Sequence, residues 1–162
     1  MYSYRITKYP QWTQDNKYLT ATVNEWTDYS DVGTLVSLDD YLIVEHEFIR
    51  IITAICDELN SHNLNIVELE IRADSPLNIP IVEYESIQRN QLMSVLKMLL
   101  RREIWGKLVA DNVQFHFGYD YYMYCVSSSS LDQLFNLLDS FLNIESFTTP
   151  VPPNIMQFLY FF

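Results

Sequence analysis

Apolar positions recur along the chain with two periods, and each period predicts its own elements. Tyr2, Tyr4 and Ile6 alternate with other positions and predict a short first strand over 2–6, followed by a polar loop from Lys8 to Lys17 around Pro10. Tyr18 to Trp26 predicts a second strand, with Leu19, Ala21 and Val23 on one face and Thr20, Thr22 and Asn24 on the other. The period then lengthens. From Asp39 to Leu59, the residues Tyr41, Val44, Phe48, Ile52, Ile55 and Leu59 fall at helical spacing, while Glu47, Arg50, Asp57 and Glu58 occupy other faces. Asp39 and Asp40 sit in the first turn, where acidic groups complement the helix dipole, and Asn60-Ser61-His62-Asn63 ends the helix. Leu64 to Arg72 returns to strict alternation, Val67, Leu69 and Ile71 against Glu68, Glu70 and Arg72, and predicts a strand with one solvated side.

Pro76 and Pro80 impose an extended connection, after which Ser86 is expected to cap a helix running to about Glu103. Its buried stripe is Leu92, Val95, Leu96 and Leu99, with Arg89, Lys97 and Arg101 opposite. Trp105 to Ala110 reads as a strand that leads into Phe115–Val126, where Gly118-Tyr119-Asp120 separates two aromatic runs and predicts a β-hairpin. A hairpin alone buries too little, so its rings must meet other strands or a helix. Ser130-Leu131-Asp132-Gln133 has the form of a capping box for a third helix ending near Leu142. Together these elements predict one α+β domain over 1–162, an antiparallel or mixed sheet of about five to six strands packed with three helices. Residues 143–162, with Pro150, Pro152 and Pro153, are expected to form an apolar tail docked on the body.

Charge narrows the classes of partner. The 162 residues include 21 acidic and 10 basic side chains, a formal net charge of −11, which disfavours a phosphate backbone and points to a basic protein. The imbalance is uneven: residues 1–85 carry net −10, residues 86–110 net +4 and residues 111–162 net −5, with no base in the last stretch. The basic island reads as a solvated helix face and exit. Cys56 and Cys125 lie among apolar neighbours without a Cys-x-x-Cys spacing, and the chain opens without an apolar signal region. No run approaches the roughly 18 apolar residues of a membrane span, so a reduced, cytoplasmic protein is expected.

Catalytic patterns are missing or incomplete. His46-Glu47 would need a second histidine one turn on to make a zinc face, and that position is Arg50. His62 and His116 have no local ligand partners. Glu68 and Glu70 share a strand face at a spacing that suits paired-carboxylate chemistry, but Arg72 continues it with opposite charge, as on an ordinary solvated face. Ser127 to Ser130 lack a nucleophile elbow, and three glycines at 33, 106 and 118 are too far apart for a phosphate loop. Tyr119, Tyr121, Tyr122 and Tyr124 could stack bases, yet no Lys or Arg borders them, which favours a core or protein-interface role. No enzymatic activity, metal or cofactor is therefore expected.

The segment Glu25-Trp26-Thr27-Asp28-Tyr29-Ser30-Asp31-Val32-Gly33 is a loop with two large rings, three carboxylates and a closing glycine. It resembles a Glu-Trp-Thr-Ser-x-Ser-Asp-Ile-Gly segment found in small cytosolic proteins of bacterial polymorphic-toxin and contact-dependent growth inhibition loci. There it precedes a helix beginning near Tyr-Leu-x-Val-Glu, matched here by Tyr41-Leu42-Ile43-Val44-Glu45. The chain departs at Asp28 and Val32, and the resemblance spans at most residues 1–72, with an echo in Gly118-Tyr119-Asp120-Tyr121-Tyr122-Met123-Tyr124. It implies an immunity protein that neutralises a cognate basic toxin domain, a nuclease being the expected class, by occlusion without catalysis. The acidic run then makes Asp28, Tyr29, Asp31, Asp39, Asp40, Glu45 and Glu47 the expected partner-binding residues. On this reading, Asp28→Lys with Asp31→Lys reverses local charge without disturbing packing, whereas Trp26 is a packing anchor. The alternative is a non-enzymatic small-ligand-binding or adaptor domain whose aromatic hairpin lines an apolar pocket.

Overall fold

The computed structural model describes residues 1–9, 25–73, 75 and 80–146. Within them, strands β1 (Tyr2–Thr7), β2 (Leu64–Ile71), β3 (Ser86–Ile87), β4 (Ile104–Val109), β5 (Val113–Phe117), β6 (Tyr122–Ser127) and β7 (Asn143–Ser146) form one sheet. Its order is β3-β2-β4-β5-β6-β1-β7, with every strand pairing antiparallel. Helices α1 (Leu38–Glu58), α2 (Arg89–Leu100) and α3 (Asp132–Leu138) complete an α+β domain. The described residues thus hold seven strands, more than the pattern of apolar positions announced.

Register assigns each strand residue to a face, because directly paired residues project to the same side. One row runs Tyr4, Cys125, Phe115, Leu108, Ile66, and a second joins Ile6, Met123 and Phe117. All of these are buried and merge with Phe48, Ile52 and Ile55 of α1 and Val95, Leu96 and Leu99 of α2 in one core cluster. Burial of each such side chain contributes about 1.5–3 kcal/mol. α1 also packs against α2 and α3, and Ile49 and Ile51, outside the expected stripe, are buried too. Asn60 closes α1 in the left-handed region at φ 53°, and the Ser61 amide returns to the Cys56 carbonyl at 2.8 Å.

Several boundaries differ from expectation for local reasons. α2 starts at Arg89, not at Ser86, because the Gln91 side chain accepts from the Gln88 amide at 3.2 Å while Ser86 pairs with Asn65 in β3. α3 ends at Leu138, where Asp139 turns left-handed at φ 44°. That early stop frees residues 143–146, expected as tail, to become edge strand β7 beside β1. Docking of the remaining tail, and the expected strand over Tyr18–Trp26 except its last two residues, lie outside the described residues; Glu25 and Trp26 are not in a strand. In β2, Glu68 adopts φ 55° and the register shifts between Val67 and Glu70, a bulge that interrupts the strict alternation.

The hairpin forms where expected, with a different division of labour in its turn. Asp120 and Tyr121 hold the left-handed conformations, at φ 57° and 58°. Gly118 is needed for space: a Cβ there would stand 3.1 Å from the Tyr122 carbonyl oxygen and 3.4 Å from the Tyr124 ring.

Candidate functional site

The acidic loop is built inward before it can face outward. Asp28 caps the short 3-10 turn Tyr29–Asp31, accepting from the Ser30 amide at 2.8 Å. Asp31 closes the other side of the box, accepting from the amides of Thr27 at 2.8 Å and Asp28 at 3.1 Å. Asp28 also pairs with Arg102 at 2.5 Å. Burial pushes the Asp28 carboxyl up, but the Ser30 hydrogen bonds and the Arg102 charge outweigh it and hold the group below its usual range. The expectation that Asp28→Lys and Asp31→Lys would spare packing is therefore corrected: both carboxylates hold the loop together.

Trp26 fills the role of anchor. Its ring meets Tyr121 edge-on at 4.9 Å and Tyr41 at 5.6 Å, with the Lys8 ammonium 4.2 Å from its centre. Tyr121, itself 6% exposed, donates to the Leu100 carbonyl at 3.2 Å, so loop, hairpin tip and α2 meet at one aromatic node.

Of the expected helix residues, only some are available to a partner. Asp39 and Asp40 are exposed beside the Ser37 cap, as the expectation requires. Glu45 is fully buried, held by a two-pronged bond from Arg101 at 2.7 and 2.8 Å and by the Tyr41 hydroxyl at 3.0 Å. Glu45 is thus corrected from surface to core. Glu47 is 9% exposed and clasped by Arg50 at 2.6 and 2.8 Å, which holds its carboxyl below the usual range despite burial. Tyr29 lies half-buried, edge-on to Tyr41 at 4.9 Å with the Arg101 guanidinium 5.0 Å from its ring. The basic island is also reassigned, since Arg101 and Arg102 serve as internal clamps.

Because the Asp28 and Glu47 pKa values are depressed on folding, their contribution is complete above the ordinary carboxylate range and lost as pH falls through the folded values. Acid unfolding of Asp28→Asn is expected to show a shallower loss of stability below about pH 4 than the parent. Parallel acid limbs for the two proteins would contradict this.

The sheet face opposite the three described helices presents a different constellation. Register sets Arg5, Tyr124, His116, Lys107 and Val67 in one row, and Thr7 with Tyr122, and Trp105 with Glu70, in the next. An open groove of about 650 Å³ runs along it, lined by Glu68, Glu70, Trp105, Lys107, His116 and the hairpin tip. Lys107 donates to Glu68 at 2.6 Å. Burial, helped by the Lys107 charge, lowers the His116 pKa and keeps the ring neutral near neutral pH. Trp105 and Tyr119 lie 5.1 Å apart with Arg102 stacked 5.6 and 5.4 Å from their centres. Sequence reasoning placed Glu68 and Glu70 on one strand face, but it could not join them to Trp105 and Tyr119, which register brings together.

Both thiols are inert by burial: Cys56 is pushed up to about 12, and Cys125 is raised further. Among the described residues no group of three or more His, Cys, Asp or Glu could hold a metal, and no helix is long and apolar enough to cross a membrane. Comparison of the chain with protein-family models, with curated proteins and with solved structures returned no match.

Proposed function

We propose that this chain is an immunity protein that binds a basic toxin domain, a nuclease being the class favoured by charge, and neutralises it by occlusion without catalysis. The observation that carries the reading is the fate of the cations. At least seven of the ten basic side chains, Arg5, Lys8, Arg50, Arg89, Arg101, Arg102 and Lys107, are engaged with carboxylates of the same chain. Meanwhile Asp39, Asp40, Glu58, Glu70, Glu85 and Asp111 are exposed. The net −11 is therefore expressed at the surface, where it steers a cationic partner. The resemblance of the Glu25–Gly33 segment to immunity proteins supplies the kind of partner. A small-ligand or adaptor domain is the second reading: the groove offers it a site, but one that is open and mixed in polarity where a small-ligand pocket would be enclosed and apolar, which ranks it below the first.

The test begins with the neighbouring genes: the reading expects a large secreted protein encoded immediately upstream, whose C-terminal domain is then co-expressed with this chain. Protected growth is expected, and killing left unchanged by the chain would overturn the reading. Association is also expected to slow about tenfold or more between low and physiological salt, with dissociation little changed. Asp39→Asn with Asp40→Asn should slow it further. Stopped-flow rates that are flat with salt would remove steering from the account.

A further inference from the structure

On the sheet face opposite the described helices, three carboxylates share a groove with a pair of rings. Among the described residues, Glu68, Glu70 and Asp120 line the groove with one ammonium, Lys107, which Glu68 already engages at 2.6 Å. His116, the remaining titratable nitrogen of the groove, is disfavoured as a cation by burial and by Lys107. Arg102 stands 3.7 Å from Asp120, so three carboxylates face two cations, Lys107 in the lining and Arg102 beside it, and among the described residues the groove stays net anionic, with Glu70 exposed. Trp105 and Tyr119 form its aromatic wall, tilted 51° to one another, and Tyr119 is 69% exposed although it is a large ring. These two rings already accept one guanidinium, that of Arg102. Their geometry therefore suits cation–π contact, and the exposed part of Tyr119 is open to a second cation.

We propose that this groove seats an arginine-bearing segment of the basic protein partner, its guanidinium lying against Tyr119 and Trp105 and bonding to Glu70. The proposal rests on the reading of the chain as a binder of a basic protein and adds where such a protein engages. Arginine fits better than lysine, because a planar guanidinium can stack on a ring while donating in its own plane to a carboxylate. An aromatic wall beside carboxylates is also a lining on which a few aromatic contacts can dominate binding. A nucleic acid is disfavoured at the same place, since three carboxylates would face its phosphates.

The test uses the whole chain and a capped Gly-Arg-Gly-Arg-Gly peptide, with the citrulline peptide as the uncharged control, followed by heteronuclear NMR. Saturable shifts are expected at the Trp105 indole N–H and the amides of Lys107, Gly118 and Tyr119. The citrulline peptide, and the variant Tyr119→Ala with Glu70→Gln, should each bind at least about fivefold more weakly. Saturable shifts centred instead on Asp39 and Asp40 would overturn the groove while leaving the basic-partner reading in place. No saturable shift anywhere would overturn the groove and also withdraw the charge argument from that reading. Equal binding of the arginine and citrulline peptides would overturn the cation chemistry.

Discussion

Arg101→Met is expected to destabilise the protein by about 3–5 kcal/mol, because it strands a carboxylate in the core. Glu45 has no exposure to water, and after the substitution the Tyr41 hydroxyl would be its one remaining donor of those described. The decisive companion is the double variant Arg101→Met with Glu45→Gln. Once the charge is gone, the amide can still accept from Tyr41, and the methionine stem keeps much of the arginine's packing. Most of the lost stability should return, since a buried pair removed together costs little compared with one broken singly. Urea denaturation checks both. A single variant within about 1 kcal/mol of the parent, or a double variant no better than the single, would show that the pair does not act as a unit.

Trp26→Ala is expected to cost about 3 kcal/mol, the lower end for truncating a large ring, because the indole is half-buried. For a chain of this size that corresponds to a fall in thermal midpoint of about 6–12 °C. The loss would come from the edge-on contact with Tyr121, the contact with Tyr41 and the ammonium of Lys8. Tyr121 is the vulnerable neighbour. It holds a left-handed backbone at φ 58°, unusual for a tyrosine, and packing against Trp26, Tyr41 and Phe48 keeps it there. Trp26→Phe should recover part of the loss. If Trp26→Ala leaves the midpoint unchanged while partner binding falls, the ring belongs to the interface and not to the core.

What could be read from the residues alone follows their range of action. α1 and the hairpin are legible because a long helical period and a run of rings around Gly-Tyr-Asp need no distant partner to declare themselves. β3 and β7, at two and four residues, carry no period, and they become strands only because β2 and β1 offer them a neighbour. Glu45 shows a different failure. Its place in an acidic run suggested a surface, but Arg101, 56 positions later, draws it into the core. Helical phase could have hinted at this, since Glu45 stands one turn after Tyr41 and three positions before Phe48, on the apolar side. The groove was hidden for the same reason as the ion pair. Trp105, His116 and Glu70 come from three strands, and only their register places them on one face.

The position of β1 has a consequence for the order in which the chain can be made. It lies between β6 and β7, so both of its neighbours are contributed by residues 122–146. During synthesis the first strand emerges with no partner and waits until almost the whole described chain has left the ribosome. The middle of the molecule, α1 through β5, can meanwhile assemble around contacts nearer in sequence. Closing so long a loop adds entropy cost only slowly with length, but it makes the final pairing late and the waiting strand a target for wrong pairing. A circular permutant that carried β1 C-terminal to β7 would shorten that wait while keeping its pairings with β6 and β7.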